Sequence, residues 1–179
     1  MNKVLKVCGS AMLALSAASF ASADSVTLKF HTMVPMPANS NAKFVKPWAD
    51  KISAESNGEI KVEMYPSMQL GGAPPQLVDQ VRDGVVDIVW TVAGYTPGRF
   101  PRLEVFELPF MPAAATPTSQ AIQEYVDTIA ADELKDYKVL AVHVHAPGKI
   151  HTKNRLIKSA ADLKGLKMRG PTRPITQML

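Results

Sequence analysis

Apolar and polar residues alternate where the chain first reads as folded: Val26, Leu28 and Phe30 are separated by Thr27 and Lys29. Such alternation turns one face of a strand to a core and the other to water. From Phe44 the spacing becomes helical, with Phe44, Val45, Trp48 and Ile52 on one face. Asn39 or Ser40 is placed to cap the start and Asn57-Gly58 to close the end. Pro47 inside this pattern predicts a kink or a restart. Ile60, Val62 and Met64 alternate as a second strand, ended by Tyr65-Pro66. After Gly71-Gly72, Pro74 and Pro75 open a helix carrying Leu77, Val78 and Val81, closed by Gly84. Val85 to Val92 is a nearly continuous apolar run, as expected of a strand covered on both faces.

Strand, helix, strand, helix, strand is the pattern of a parallel α/β sheet. Residues 94–112 read as loop, with prolines at 97, 101, 109 and 112. Ser119 to Asp136 predicts a helix, with Ile122, Tyr125, Val126 and Ile129 on one face and Thr118 as its cap. Val139 to Val144 predicts a further strand, and Pro147-Gly148 breaks the pattern. Ser159-x-x-Asp162 is spaced to satisfy the first amides of a helical turn, with the acid near its positive end. Gly165 can end that turn in a left-handed conformation, and Leu166, Lys167 and Met168 read as a short strand. Arg169 would then emerge, followed by Gly170, at a strand's C-terminal end, where open α/β sheets place their ligands. A guanidinium there is a planar fork suited to gripping a carboxylate, although on the residues alone a surface arginine in a turn is the competing reading. Pro174 to Leu179 reads as a helix just beginning.

Charge and cysteine usage narrow the possibilities. The 179 residues carry a formal net charge of +4, which falls to +2 without the two lysines of the first 23. The basic residues are scattered without aromatic interleaving, which argues against a nucleic-acid partner. Residues 1–23 look like a secretory signal: Lys3 and Lys6, an apolar or small run from Ala11 to Phe20, then Ala21-Ser22-Ala23. That run falls short of the roughly 18 residues that span a bilayer. Cys8 follows a charge where a lipoprotein signal should already be apolar, so cleavage after Ala23 and a periplasmic location are expected. Cys8 is the only cysteine, which leaves the mature chain without a disulfide, thiolate nucleophile or cysteine-held metal.

Catalysis finds no support in the motifs. There is no Gly-x-Ser-x-Gly elbow, no evident carboxylate pair, and Gly71-Gly72 precedes prolines rather than the Lys-Ser of a phosphate loop. His143, His145 and His151 raise a metal, but a third ligand would have to come from across the break, and polar-face histidines are the simpler account. No metal and no cofactor are expected. Binding draws instead on strand-end residues. His31 ends the first strand, Gln69 lies in the loop after the second, and Trp90 and Tyr95 flank the exit of the third. Aromatic surface there suits an apolar or aromatic ligand part, with Trp90 equally readable as core and His31 as a hydrogen-bonded loop residue.

Asp162-Leu163-Lys164-Gly165-Leu166-Lys167-Met168-Arg169 resembles the second-domain segment of the solute-binding proteins of tripartite ATP-independent periplasmic (TRAP) transporters. The stretches Ile60 to Gly72 and Leu103 to Phe110 resemble the same family, in matching order and spacing from about Val26 onward. The resemblance implies a type II, two-lobed periplasmic-binding-protein-like α/β architecture. Residues 24–147 would form a nearly complete first lobe and 148–179 the start of a second, truncated one. It implies a cleft in which Arg169 orients a small organic acid, handed on to integral membrane permease subunits by a receptor that is monomeric at full length. Lys149, Ile150 and His151 match a place where relatives commonly carry a further ligand-contacting arginine; its absence here leaves a second carboxylate contact open. A receptor of an ATP-driven importer, a periplasmic sensory ligand-binding protein and, remotely, a periplasmic hydrolase are the alternatives.

Overall fold

The computed structural model describes residues 25–108, 110–112 and 114–178, so the expected export signal lies outside the described residues. Strands β1 (Val26–Thr32), β2 (Ile60–Tyr65) and β3 (Ile88–Trp90) form one sheet in the order β2-β1-β3. Both pairings are parallel, with Phe30 of β1 opposite Met64 on one side and Ile88 on the other. Parallel neighbours need long crossovers, and helices α1 (Lys46–Glu55) and α2 (Leu77–Arg82) supply them. The expected α/β sheet is present.

The helix before β2 resolves the Pro47 question by changing its winding. Asn41–Val45 form a π-turn that runs into α1, and the Lys46 N–H donates to the Asn41 carbonyl. Pro47 has no N–H to return to Lys43, and a wider turn absorbs the missing bond. The extra residue rotates the buried face onto Asn41, Val45 and Ala49, leaving Phe44 67% exposed, contrary to the spacing. Trp48 still reaches the sheet, edge-on to Phe30 with ring centroids 6.4 Å apart. Ser40 makes no cap hydrogen bond; buried Asn41 instead donates to the carbonyls of Val34 (2.8 Å) and Pro35 (3.3 Å). Asn57 (φ 51°) and Gly58 (φ 80°) close the helix in left-handed conformations, as expected.

Strand β3 is much shorter than its apolar run. Val86 is buried but Val85 is 54% exposed in the turn that Gly84 (φ 71°) opens. Asp87 then bridges to β1, donating from its N–H to the Lys29 carbonyl (3.1 Å) and accepting the Lys29 N–H on its carboxylate (2.7 Å). The ladder begins only after that clamp. Helix α3 (Ala115–Thr128) starts earlier and ends sooner than expected, and Thr118 lies buried inside it rather than capping it. A separate 3-10 turn, Ala131–Leu134, follows, which leaves Ile129 exposed.

Ile122 and Val126 of α3 join Val78, Phe100, Leu103 and Ala130 in a second core beside the sheet. Arg99 ties this core to α2, donating to Asp79 (2.6 Å) and to the Tyr137 hydroxyl (2.8 Å). Val139, Val142 and Val144 pack against the core, yet the segment forms no ladder. The N–H groups of Val142 and Val144 donate to Gln123 Oε1 (3.0 Å) and Ser119 Oγ (3.0 Å), side chains of α3. Leu166–Met168 likewise pairs with no strand among the described residues. Period-two patterning buries one face of an extended segment, but a strand also needs a neighbour for its backbone.

From residue 146 to 157 no backbone–backbone hydrogen bond occurs among the described residues, and nearly every side chain is exposed. We expect these amides to exchange with solvent far faster than those of β1 in a hydrogen-exchange time course, and limited proteolysis to cut here first.

Candidate functional site

All three strands point the same way, so the loops that leave them share one edge of the sheet. The C-terminal end of β1 is the most deeply buried part of that edge, with His31 and Thr32 fully inaccessible. His31 Nδ1 donates to Gln80 Oε1 of α2 (2.8 Å), and His31 Nε2 accepts the N–H of Leu70 (3.4 Å). Gln80 in turn donates to the Gly71 carbonyl (3.1 Å). Thr32 accepts the Val34 N–H (3.2 Å) and donates to the Trp90 carbonyl (3.4 Å). Every polar atom of the two side chains is thus taken up by α2, the end of β3 or a strand-end loop, and His31 has no free nitrogen for a ligand. It sets the position of the 66–72 loop.

Trp90 leaves β3 half-buried, and its indole N–H donates to His143 Nε2 (2.9 Å). The rings are nearly parallel, 10° apart, with centroids 5.7 Å from each other. This bond spends the indole donor and the lone pair that His143 would offer a metal. Among the described residues no group of three His, Cys, Asp or Glu could hold a metal ion.

Arg169, Gly170 and Tyr95, three of the residues singled out from sequence, meet in one cleft of about 510 Å³. Pro74, Pro75, Gly94, Tyr95 and Pro97 form one wall. Residues 169–173 and Thr176 form the other. Among the described residues no acidic side chain lines it, the Glu107 carboxylate lying behind Gly94 of the first wall. Gln69, His31, Trp90 and Lys149 do not line it. Gln69 and Lys149 are exposed elsewhere, and the other two are engaged as described. A larger depression, about 810 Å³, follows the outer face of α3, but Glu124 and Asp127 line it and no basic side chain does, so it does not suit an anion.

The Arg169 wall is built by local capping. Residues 160–163 form a 3-10 turn after Ser159, and the Asp162 carboxylate accepts the N–H of Lys158 (3.0 Å) and of Ser159 (2.9 Å) and the Ser159 hydroxyl (3.1 Å). Those bonds, the Lys158 and Ser159 amides first, hold the Asp162 carboxyl below its ordinary pKa. Gly165 turns the chain at φ 78°, and helix α4 (Arg173–Met178) follows. Its first turn is fixed by Thr176, which donates from N–H (3.0 Å) and hydroxyl (2.9 Å) to the Thr172 carbonyl. Gly170 lies so close that a Cβ there would sit 2.8 Å from Thr176 Cα and 2.9 Å from its N. Gly94 meets a similar restriction on the opposite wall, where the Glu107 carboxylate fills the space of a Cβ.

Sequence reasoning missed Thr172 and Arg173. Their signal was faint: an arginine four places after Arg169, bracketed by Pro171 and Pro174 and read only as the start of a helix.

A parallel sheet whose strand-end loops flank a cleft lined by arginine is an arrangement suited to holding an anionic ligand. The model of the family "Bacterial extracellular solute-binding protein, family 7" matches residues 31–179, and the chain belongs to that family. Its solved relatives include a marine metagenome TRAP solute-binding protein specific for aromatic acid ligands, in complex with 3-hydroxybenzoate. The two are 80% identical, with a TM-score of 0.84 over 87% of this chain and 48% of that one. A TRAP solute-binding protein of Rhodoferax ferrireducens with copurified benzoate is 61% identical, with a TM-score of 0.83 over 86% of this chain and 48% of that one. Among curated proteins, the "Outer membrane transporter protein TsaT" of Comamonas testosteroni is 33% identical over 94% of this chain and 49% of its own length. The chain therefore spans about half the length of the relatives it matches.

Two outcomes follow from the geometry. Because the Asp162 pKa is lowered on folding, its contribution is full above the ordinary carboxylate value of about 3.9 and is lost as pH falls through the lower folded value. Asp162→Asn should flatten the acid limb of a stability–pH curve below about pH 4 while leaving its neutral limb parallel to the parent's. Gly170→Ala should cost about 1–3 kcal/mol in denaturant unfolding, since backbone must move to admit the methyl group. Unchanged stability in that variant would show that α4 does not rest on Gly170.

Proposed function

We propose that this chain forms the first lobe, residues 24–147, and the start of the second lobe of a periplasmic receptor. It captures an aromatic carboxylate and delivers it to a TRAP-type permease. The observation that carries the reading is the cleft itself: Arg169 opposite Tyr95 and three prolines, without a lining acid. An anion entering it meets an uncompensated guanidinium able to hold both carboxylate oxygens at once. Proline rings and the Tyr95 face offer flat apolar surface to the rest of the molecule, a division that favours an acid with a ring over a polyhydroxy acid. The aromatic-acid relative at 80% identity and the benzoate-bound relative at 61% support the same ligand class.

The two walls come from segments far apart in sequence, 74–97 and 169–176. A ligand touching both stabilises the arrangement in which they approach, which is the linkage that makes closure depend on occupancy. The closed form is what the permease recognises. The protein catalyses no reaction; its relatives are solute-binding receptors. The first 23 residues direct export and are removed after Ala23, and the receptor works as a monomer. Among the described residues no helix is long and apolar enough to cross a membrane.

The test is calorimetry and thermal shift on the receptor at the length of its relatives, against benzoate, its hydroxylated forms, benzamide and an aliphatic sugar acid. Aromatic acids should raise the melting temperature by mass action, and benzamide, which lacks the charge, should not. Arg169→Lys keeps the charge but loses the fork, and should weaken benzoate binding about tenfold or more, at least about 1.4 kcal/mol. Equal affinities for parent and variant would remove Arg169 from the site, and preference for the sugar acid would overturn the ligand class.

A further inference from the structure

Arg169 is not the only cation of the cleft. Arg173, at the start of α4, lines it too, and neither arginine forms an ion pair or a side-chain hydrogen bond among the described residues. Arg82, Arg99 and Arg155, by contrast, each meet an aspartate. Between the two arginines stands Thr172, which is 9% exposed and lines the same cleft. Its Oγ1 is buried without any hydrogen-bond partner among the described residues. A buried hydroxyl is ordinarily satisfied, so an orphan beside two unopposed guanidinium groups marks the place of an oxygen that the protein does not itself provide.

The backbone that carries these groups is tied to the first turn of α4. Thr176 clamps the Thr172 carbonyl with two hydrogen bonds, and the close approach of Gly170 to Thr176 keeps the 169–173 segment folded on the first turn of α4. One carboxylate neutralises one guanidinium and leaves the other without a counter-charge among the described residues that line the cleft, the Glu107 carboxylate lying behind Gly94. Guanidinium offers donors only, so its complement is an acceptor oxygen.

Building on the aromatic-acid reading, we propose that Arg173 and the Thr172 hydroxyl form a second oxygen-binding subsite beside Arg169. This subsite makes the receptor select aromatic acids that carry a further oxygen function on the ring, a phenolic hydroxyl or a second carboxylate, over unsubstituted benzoate. Arg169 takes the carboxylate; Arg173 and Thr172 take the second oxygen. Arg173 is thus a specificity-determining residue, and its removal changes the ranking of ligands more than the ability to bind an acid.

The receptor at its relatives' length, with Arg173→Gln and Thr172→Val variants, is titrated calorimetrically with benzoate, the three monohydroxybenzoates and isophthalate. Arg173→Gln should lower affinity for the best oxygen-bearing acid about tenfold more than for benzoate, a gap that calorimetry resolves easily. Thr172→Val removes a hydroxyl that has no partner, so its melting temperature without ligand should not fall, while affinity for the same acid should. Arg173→Lys should recover part of the selectivity by restoring the charge. An equal loss across all acids in Arg173→Gln, or no loss at all, overturns the subsite while leaving the Arg169 reading intact. A parent that binds none of the acids overturns both.

Discussion

The burial of a polar strand end governs this structure. His31 and Thr32 close the central strand β1 with no solvent access, and buried polar atoms without partners are costly. Their partners come from outside the strand: Gln80 on α2, the Leu70 and Val34 amides, and the Trp90 carbonyl. Satisfying two side chains therefore pins the loops after all three strands and fixes the first turns of the crossover that follows β2. A purely apolar strand end would bury as much surface and leave those loops free to wander. The placement of the loops at the sheet edge follows from these hydrogen bonds.

The cleft depends on that edge and on a second, local device. The 158–176 segment has little core of its own; it is shaped by the Asp162 capping bonds, the left-handed Gly165 and the Gly170–Thr176 contact. These are short-range constraints, and together they present Arg169, Thr172 and Arg173 toward the wall of Tyr95 and prolines. Electrostatics then divides the surface. Arg82, Arg99 and Arg155 are paired with aspartates and Arg102 donates to the Ile129 carbonyl, whereas the two cleft arginines have no partner among the described residues, which is a poor arrangement for an isolated fold and a suitable one for receiving an anion. Membership of a solute-binding family accords with that division.

Much of this was legible along the chain. Alternation at Val26–Phe30 and Ile60–Met64 marks strands, and their separation by helical spacing implies a parallel sheet, because each signal reports only local periodicity and chain connectivity. Ser159-x-x-Asp162 and Gly165 likewise act within one turn, and both adopt the expected roles. Errors arise where distant groups decide. Asp87 delays β3 and Val139–Val144 pairs with side chains of α3 instead of a strand, whereas the π-turn that carries Phe44 to the surface is a local effect of Pro47.

The same boundary separates the site residues. By itself the sequence determined the fold class, the turn that presents Arg169 and the aromatic character of the β3 exit, because these follow from periodicity, capping and residue type within a few positions. Only the tertiary structure decided which candidates are accessible. His31 and Trp90 carry the chemistry of ligand contacts, yet one is sealed against Gln80 and Leu70 and the other donates to His143, while Arg173, unremarkable in sequence, faces the cleft with no counterion among the described residues. A residue type states what a side chain is able to bind; which partner reaches it first is settled by chain segments brought together from far apart, and no local pattern records that competition.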